Sequence, residues 1–195
     1  MNAAFVARME DVLAVYERPG DPRFPVVCFD ERPCGLHGQP VEPLPPVPAQ
    51  PARGEQPAKP GRPRRESSTY VRQGTACLLA AFEPGTGQRL VEVSARRTGA
   101  DYCRFLQRLA ARFELHYTPK NASWLNMVEL ERSAIARQCL HQRISTQDEL
   151  SAHVDACVAE RNARRASVNW QFLLDKARQK LTRHYQKVYA DNSPD

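Results

Sequence analysis

The sequence predicts one α/β core that runs from strands in its first half to helices in its second. Three observations predict it. Residues 26–29 form a continuous apolar run closed by Asp30 and Glu31, the pattern of a central strand buried on both faces that delivers acid at its carboxyl end. Residues 75–82 and 89–94 are strand-like and are separated by Pro84, Gly85 and Gly87, which reads as a β-hairpin. After Ser123 the apolar residues recur at threes and fours, the helical period.

Each remaining element follows in order. Phe5, Met9, Val12, Leu13 and Tyr16 mark an amphipathic helix, which Pro19, Pro22 and Pro25 forbid from continuing. Residues 40–63 hold nine of the 16 prolines, so an exposed, mobile, polyproline-like loop is expected there, without helix or sheet. Its end carries Arg53, Lys59, Arg62, Arg64 and Arg65, suited either to phosphates or simply to solvent. Thr98 and Asp101 form a capping box for a helix with Tyr102, Phe105, Leu106, Leu109 and Phe113 on one face. Residues 114–118 are a short strand candidate stopped by Pro119, and Ser123 is placed to cap a helix carrying Leu125, Val128, Ile135 and Cys139. Leu150, Val154, Cys157 and Val158 mark a second helix, and the stripe from Trp170 to Val188 a third.

Composition bounds the function. At 42% hydrophobic and 26% charged residues, the 195-residue chain is not wholly disordered, collagen-like or coiled coil. No apolar run approaches the roughly 18 residues of a membrane span, and no signal peptide is read in residues 1–16. Six scattered cysteines without a CxxC pair favour a reduced, cytosolic protein without structural zinc. The net charge of +6 permits nucleic-acid binding, and eight Lys or Arg between Arg161 and Lys187 against one acid, Asp175, give the C-terminal helices a basic surface. The five histidines lack paired ligand spacing, and no GxSxG, P-loop or GxGxxG string occurs.

Two places carry chemistry. Asp30 ends a strand, where open α/β sheets collect ligands, although an acid there also serves turns; Glu31 faces the other side by alternation. Glu129 lies in what reads as the second turn of a helix, either as a solvated glutamate or as a carboxylate held opposite Asp30. Trp124 and Leu125 at the helix entry suit a hydrophobic staple or a stacking surface for a base.

The strings VVCFDERP (26–33) and HYTPKNASWLNMVE (116–129) resemble the catalytic core of mariner-like bacterial insertion-sequence transposases, members of the DDE superfamily of endonucleases with a ribonuclease H-like fold. The lead-in MEDVLAVYERPGDPRFP, the hairpin TACLLAAFEPGTGQRLVEV and the tail 144–185 resemble that family too. The resemblance implies a ribonuclease H-like mixed sheet with flanking helices, DNA cleavage and strand transfer in DNA transposition and recombination, and magnesium or manganese as cofactor. It makes Asp30 the first catalytic and metal-binding carboxylate and Glu129 the third, because paired divalent ions need several anionic oxygen ligands. Lys120, Asn121, Ser123, Trp124, Asn126, Arg64, Arg65, Arg164 and Arg165 are the residues expected on DNA.

The sequence departs from the family twice. The second aspartate should end another strand between Phe113 and Glu114, which here are consecutive, so a βαβ segment of about 30 or more residues is missing. Asp101, the nearest aspartate, opens a helix and is not expected to substitute. The family's N-terminal helix-turn-helix domain is also expected to be absent from this chain. The expectation is an incomplete fold with one central strand and helix missing, in which residues 114–118 either pair beside 26–30 or form no ladder. Residues 1–25 are a helix and connector, 26–145 the catalytic core with 40–66 a disordered proline-rich loop, and 146–190 the C-terminal helices. The resemblance implies the function of a transposase catalytic domain, expected to be inactive or severely impaired in this copy. The alternative is a non-catalytic DNA-binding remnant, or a regulator of an intact transposase. DNA, a second copy or intact transposase are its partners, in the bacterial cytoplasm and on the nucleoid.

Overall fold

A computed structural model describes residues 1–51, 58–110 and 112–191 of the chain. They form a mixed α/β fold: a three-stranded antiparallel sheet, six α-helices and a helical C-terminal part. The first helix, α1 (Ala3–Glu17), begins where Asn2 Oδ1 accepts from the Phe5 N–H at 2.9 Å, and it buries Met9, Val12, Leu13 and Val15. Strands β1 (Cys28–Gly38), β2 (Val71–Glu83) and β3 (Gln88–Ser94) follow in the order β1-β2-β3. The β2–β3 hairpin is the expected one. Its turn closes with the Gly87 N–H on Glu83 O at 2.9 Å, and Gly87 has φ 71° with the Arg165 carbonyl carbon 2.6 Å from where a Cβ would stand. A side chain there would be excluded by backbone conformation and by backbone contact alike.

The first strand differs from expectation. It begins at Cys28, runs on to Gly38 and occupies an edge, so Asp30 is its third residue and not its carboxyl end. The doubly buried strand is β2, where residues 76–82 are all buried. The backbone explains the exchange. The Phe29 carbonyl accepts from Asn126, the Glu31 N–H is taken by Asp30 Oδ1 at 2.8 Å, and the His37 N–H donates to Ile144 O at 2.8 Å, so residues of this parity face away from β2. Pro33, which has no N–H to give, shares that parity and is tolerated for that reason.

All pairings among the described residues are antiparallel, so the expected ribonuclease H-like mixed sheet is not what these strands form. Residues 114–118 form no strand, the second of the two expected outcomes. The outward groups of β1 at Phe29, Glu31 and His37 are already engaged. His116 instead lies between Asp11 (Nδ1–Oδ2 2.8 Å) and Glu114 (Nε2–Oε1 2.9 Å).

Helix α2 (Gly99–Leu109) carries both halves of the Thr98–Asp101 capping box. It stops at Leu109, leaving Phe113 outside the helix and exposed. After the 3-10 turn Ser123–Leu125 come α3 (Val128–Cys139), α4 (Gln147–Ala163), α5 (Leu174–Lys180) and α6 (Thr182–Asp191). The expected single C-terminal helix is thus two, with Trp170 ahead of both. At the break beside Leu181 the Thr182 hydroxyl donates to Arg178 O (3.0 Å) and Gln179 O (2.7 Å), a side-chain bond that competes with the helical ladder.

Alternation along β2 divides the packing. Ala76, Leu78, Ala80 and Phe82 face α3 and α4 through Val128, Ile135, Leu150 and Val154, whereas Cys77, Leu79 and Ala81 face Phe105 of α2. A third cluster joins α1 to the C-terminal helices through Met9, Leu13, Leu125, Ala177 and Tyr185. In the proline-rich segment, Leu44, Val47 and Gln50 pair antiparallel with Arg65, Arg62 and Lys59. Prolines prevent a continuous ladder, and pairing survives only at every third residue, the polyproline period. The expected loop's residues 52–57, Arg53 among them, lie outside the described residues. No helix among the described residues is long and apolar enough to cross a membrane.

Glu10 fastens α1 to the C-terminal helices. It accepts from Arg178 Nε (2.9 Å) and Nη2 (3.1 Å) and from the Tyr185 hydroxyl (2.8 Å), and the Arg178 bond foremost holds its carboxyl below the usual value. A lowered carboxylate pKa adds stability above its ordinary value, lost as pH falls through the lowered one. Glu10→Gln is therefore expected to cost about 1 kcal/mol at neutral pH, the pair being partly exposed. In melts run from neutral pH into acid, the gap between parent and variant should close below about pH 4.5, the ordinary carboxyl value.

Candidate functional site

Alternation puts Asp30 on the sheet face that α3 covers, with Cys28 and Leu36, while Phe29 packs on the α2 side against Phe105 (5.4 Å between ring centroids). The start of α3 is fixed to β1 by Asn126. Its Nδ2 donates to Phe29 O at 2.7 Å and its Oδ1 accepts from the Val128 N–H at 3.3 Å. Ser123, expected as the N-cap, instead opens the 3-10 turn, and Met127 stands at the cap position of α3 without a side-chain bond. Because the helix begins at Val128, Glu129 lies in its first turn and not its second.

The outcome brings Asp30 and Glu129 together. A single nitrogen, Arg132 Nη1, lies 2.5 Å from Asp30 Oδ2 and 3.1 Å from Glu129 Oε1. Arg132 stands one turn after Glu129 on the same face, and its side chain is 15% exposed. Its Nε is buried without a hydrogen-bond partner. Sequence reasoning missed Arg132, although its i,i+3 spacing from Glu129 was a usable signal.

It also missed a second charge cluster on the opposite side of α3. Glu131 accepts from Arg161 Nε (3.0 Å) and Nη2 (2.8 Å), and Arg89 Nε lies 2.8 Å from Glu131 Oε2. That last contact is an ion pair without hydrogen-bond alignment. Arg89 also donates to Asn162 Oδ1 (3.2 Å) and Ala166 O (2.7 Å), and its guanidinium lies over the Phe82 ring. Burial lowers the Arg89 pKa, whereas hydrogen bonding to Glu131 raises that of Arg161. No sequence signal pairs these residues, which come from a strand and two helices.

Asp101 stays in its capping box. Hydrogen bonds from Thr98 and then Arg104 hold its carboxyl at about 2, and it does not join Asp30 and Glu129. Among the described residues no three His, Cys, Asp or Glu side chains cluster to hold a metal ion. The donor set at Asp30 is two carboxylates with a guanidinium between them, which does not fit a pair of divalent cations.

Of the residues expected on DNA, Lys120, Asn121, Ser123 and Trp124 are exposed on the turns before α3. Asn121 has φ 64°, a conformation asparagine tolerates, and Lys120 lines with Arg8 an open cleft of about 450 Å³ that does not include Asp30 or Glu129. Trp124 packs edge-on against Phe172 (5.6 Å) and stays exposed, while Leu125 is buried with Met9, Leu13, Ala177 and Tyr185, so the contacts of this pair are with other elements. The amide of Asn126 is committed to β1. Arg64 and Arg65 are exposed on the proline-rich arm, with Arg64 beside Glu66. Arg164 and Arg165 are exposed after α4, with Arg164 paired to Glu160.

Compared with protein-family models, curated proteins and solved structures, the chain matches none.

Proposed function

We propose that this chain is a mariner-like insertion-sequence transposase core of the DDE type, on a truncated ribonuclease H-like plan, that binds DNA and no longer cleaves or joins it. One observation carries the reading: Asp30 and Glu129, about 100 residues apart in sequence, meet on a single guanidinium nitrogen. The antiparallel β1-β2-β3 order followed by a helix, and a later helix bringing the glutamate back to the first strand, agree with it. Loss of chemistry is supported by the donor set, which among the described residues lacks a third acid and has a guanidinium where the magnesium or manganese implied by the resemblance would sit. Lys120, Arg164 and Arg165 supply exposed cations for phosphates, with a homodimer or an intact transposase as further partner and the bacterial cytoplasm and nucleoid as location.

Two assays on the full chain test this. With supercoiled DNA in magnesium or manganese, the parent should nick no faster than Asp30→Asn. Metal-dependent nicking that Asp30→Asn abolishes would overturn the loss of chemistry. In mobility shifts, affinity should fall steeply with salt, and Lys120→Ala or Arg164→Ala should each reduce the log–log slope by about 0.9 if that residue meets a phosphate. Absence of binding at low salt would remove the DNA reading.

A further inference from the structure

We propose that Arg132 is a built-in cation that takes the place of a divalent ion between Asp30 and Glu129 and keeps the pair from binding one. The inference rests on reading these two acids as the surviving carboxylates of the DDE site. It goes beyond that reading by assigning a role to a residue which neither the resemblance nor the missing strand explains.

The geometry is that of a substituted ion. A cation bridging two carboxylates sits within about 2.0–2.6 Å of an oxygen from each. Arg132 Nη1 is at 2.5 and 3.1 Å from the two, so the nitrogen fills the volume a shared ion would need. The acids are half-buried, and two like charges held this close require a counter-charge. The guanidinium supplies it from within the chain, permanently, because arginine does not deprotonate. A divalent ion entering beside it would meet a positive charge at contact distance. The head is drawn in although Nε is left buried and unpaired, which points to attraction by the acids as what sets its position. Glu129 and Arg132 are one turn apart on α3, so the helix holds the cation over the site without any change of fold.

Manganese titration of the full chain, with free ion read by electron paramagnetic resonance, tests this without recourse to activity. The parent should show no binding that depends on Asp30. Arg132→Gln should gain one site, about tenfold or more tighter than any in the parent. Glu129→Gln added to that variant should remove it. Arg132→Lys keeps a cation and should behave as the parent. If glutamine does not fold there, Arg132→Met keeps the packed stem and should gain the same site. A folded Arg132→Gln or Arg132→Met protein that gains no manganese overturns the proposal, as does a parent whose manganese binding is lost in Asp30→Asn. Salt-dependent DNA binding measured beside these titrations separates the two readings, since its absence would end the DNA function and leave the role of Arg132 standing.

Discussion

Glu131→Gln is expected to lower the unfolding free energy by about 3–5 kcal/mol, the cost of removing one member of a buried ion pair. Glu131 and Arg89 are 4% and 0% exposed, and Arg161, at 16%, completes the group. The cost arises in what is left behind. Without the carboxylate, Arg89 keeps Asn162, Ala166 and the face of Phe82, all uncharged, and its positive charge has no route to water. Arg161 is partly exposed and can turn outward, so Arg161→Met should cost less. Arg89→Met combined with Glu131→Leu should recover part of the loss, because an apolar pair carries no desolvation penalty. Urea unfolding of these four proteins checks the order. Glu129→Gln is the control two residues away: its carboxylate is about a third exposed, and its loss should shift the midpoint little.

That two glutamates in one turn of α3 have such different roles was not legible from sequence. Spacing shows that residues 129 and 131 face different sides of a helix, and nothing in the string tells which side meets Arg89. The hairpin and the Thr98–Asp101 capping box were legible because each is decided by residues within a few positions: Gly87 at the turn and a hydroxyl three residues before an acid. The first strand was misjudged for a non-local reason. Apolar residues 26–29 look like the centre of a sheet, but the centre is set by which strand finds two partners, and here that is β2. The C-terminal stripe from Trp170 to Val188 has helical periodicity throughout, and periodicity does not register the break at Leu181, beside which the Thr182 hydroxyl bonds back to Arg178 O and Gln179 O.

The resemblance led to the expectation that Asp30 and Glu129 lie near each other, and both contact Arg132 Nη1, although the strand end and the helix start were placed differently in the sequence. What occupies the space between them was not anticipated. The spacing of Arg132 points to Glu129 and not to Asp30, and its meaning depends on the distance across from β1 to α3. The same distance is fixed by Asn126, a residue expected on DNA and found tying β1 to the first turn of α3. Residues that position a site and residues that contact a substrate are alike in sequence, since both are polar and lie near Asp30 or Glu129.

Phe105→Ala is expected to cost about 3–5 kcal/mol and to free α2 from the sheet. Phe105 is the one buried residue of α2, and it seals Cys77, Leu79 and Ala81 on the sheet face opposite the Asp30 site. Phe29 stacks on it obliquely and meets Tyr102 edge-on at 4.9 Å. The polar contacts that remain, Arg104 and Arg108 with Glu92, are exposed pairs that contribute about 0–1 kcal/mol each and do not replace a buried ring. Removal of the ring should therefore lower the urea midpoint and raise binding of a dye that reports exposed apolar surface. Leu106→Ala, on a partly buried neighbour, should do much less of either. The face affected is the one that depends on a single eleven-residue helix, whereas α3 and α4 together cover the other. Stability lost through Phe105 and charge compensation lost through Arg132 should consequently be separable. In Phe105→Ala molecules that stay folded, the Asp30–Arg132–Glu129 contact is expected to persist and manganese binding to remain absent, because the two arrangements share the sheet and lie on opposite sides of it.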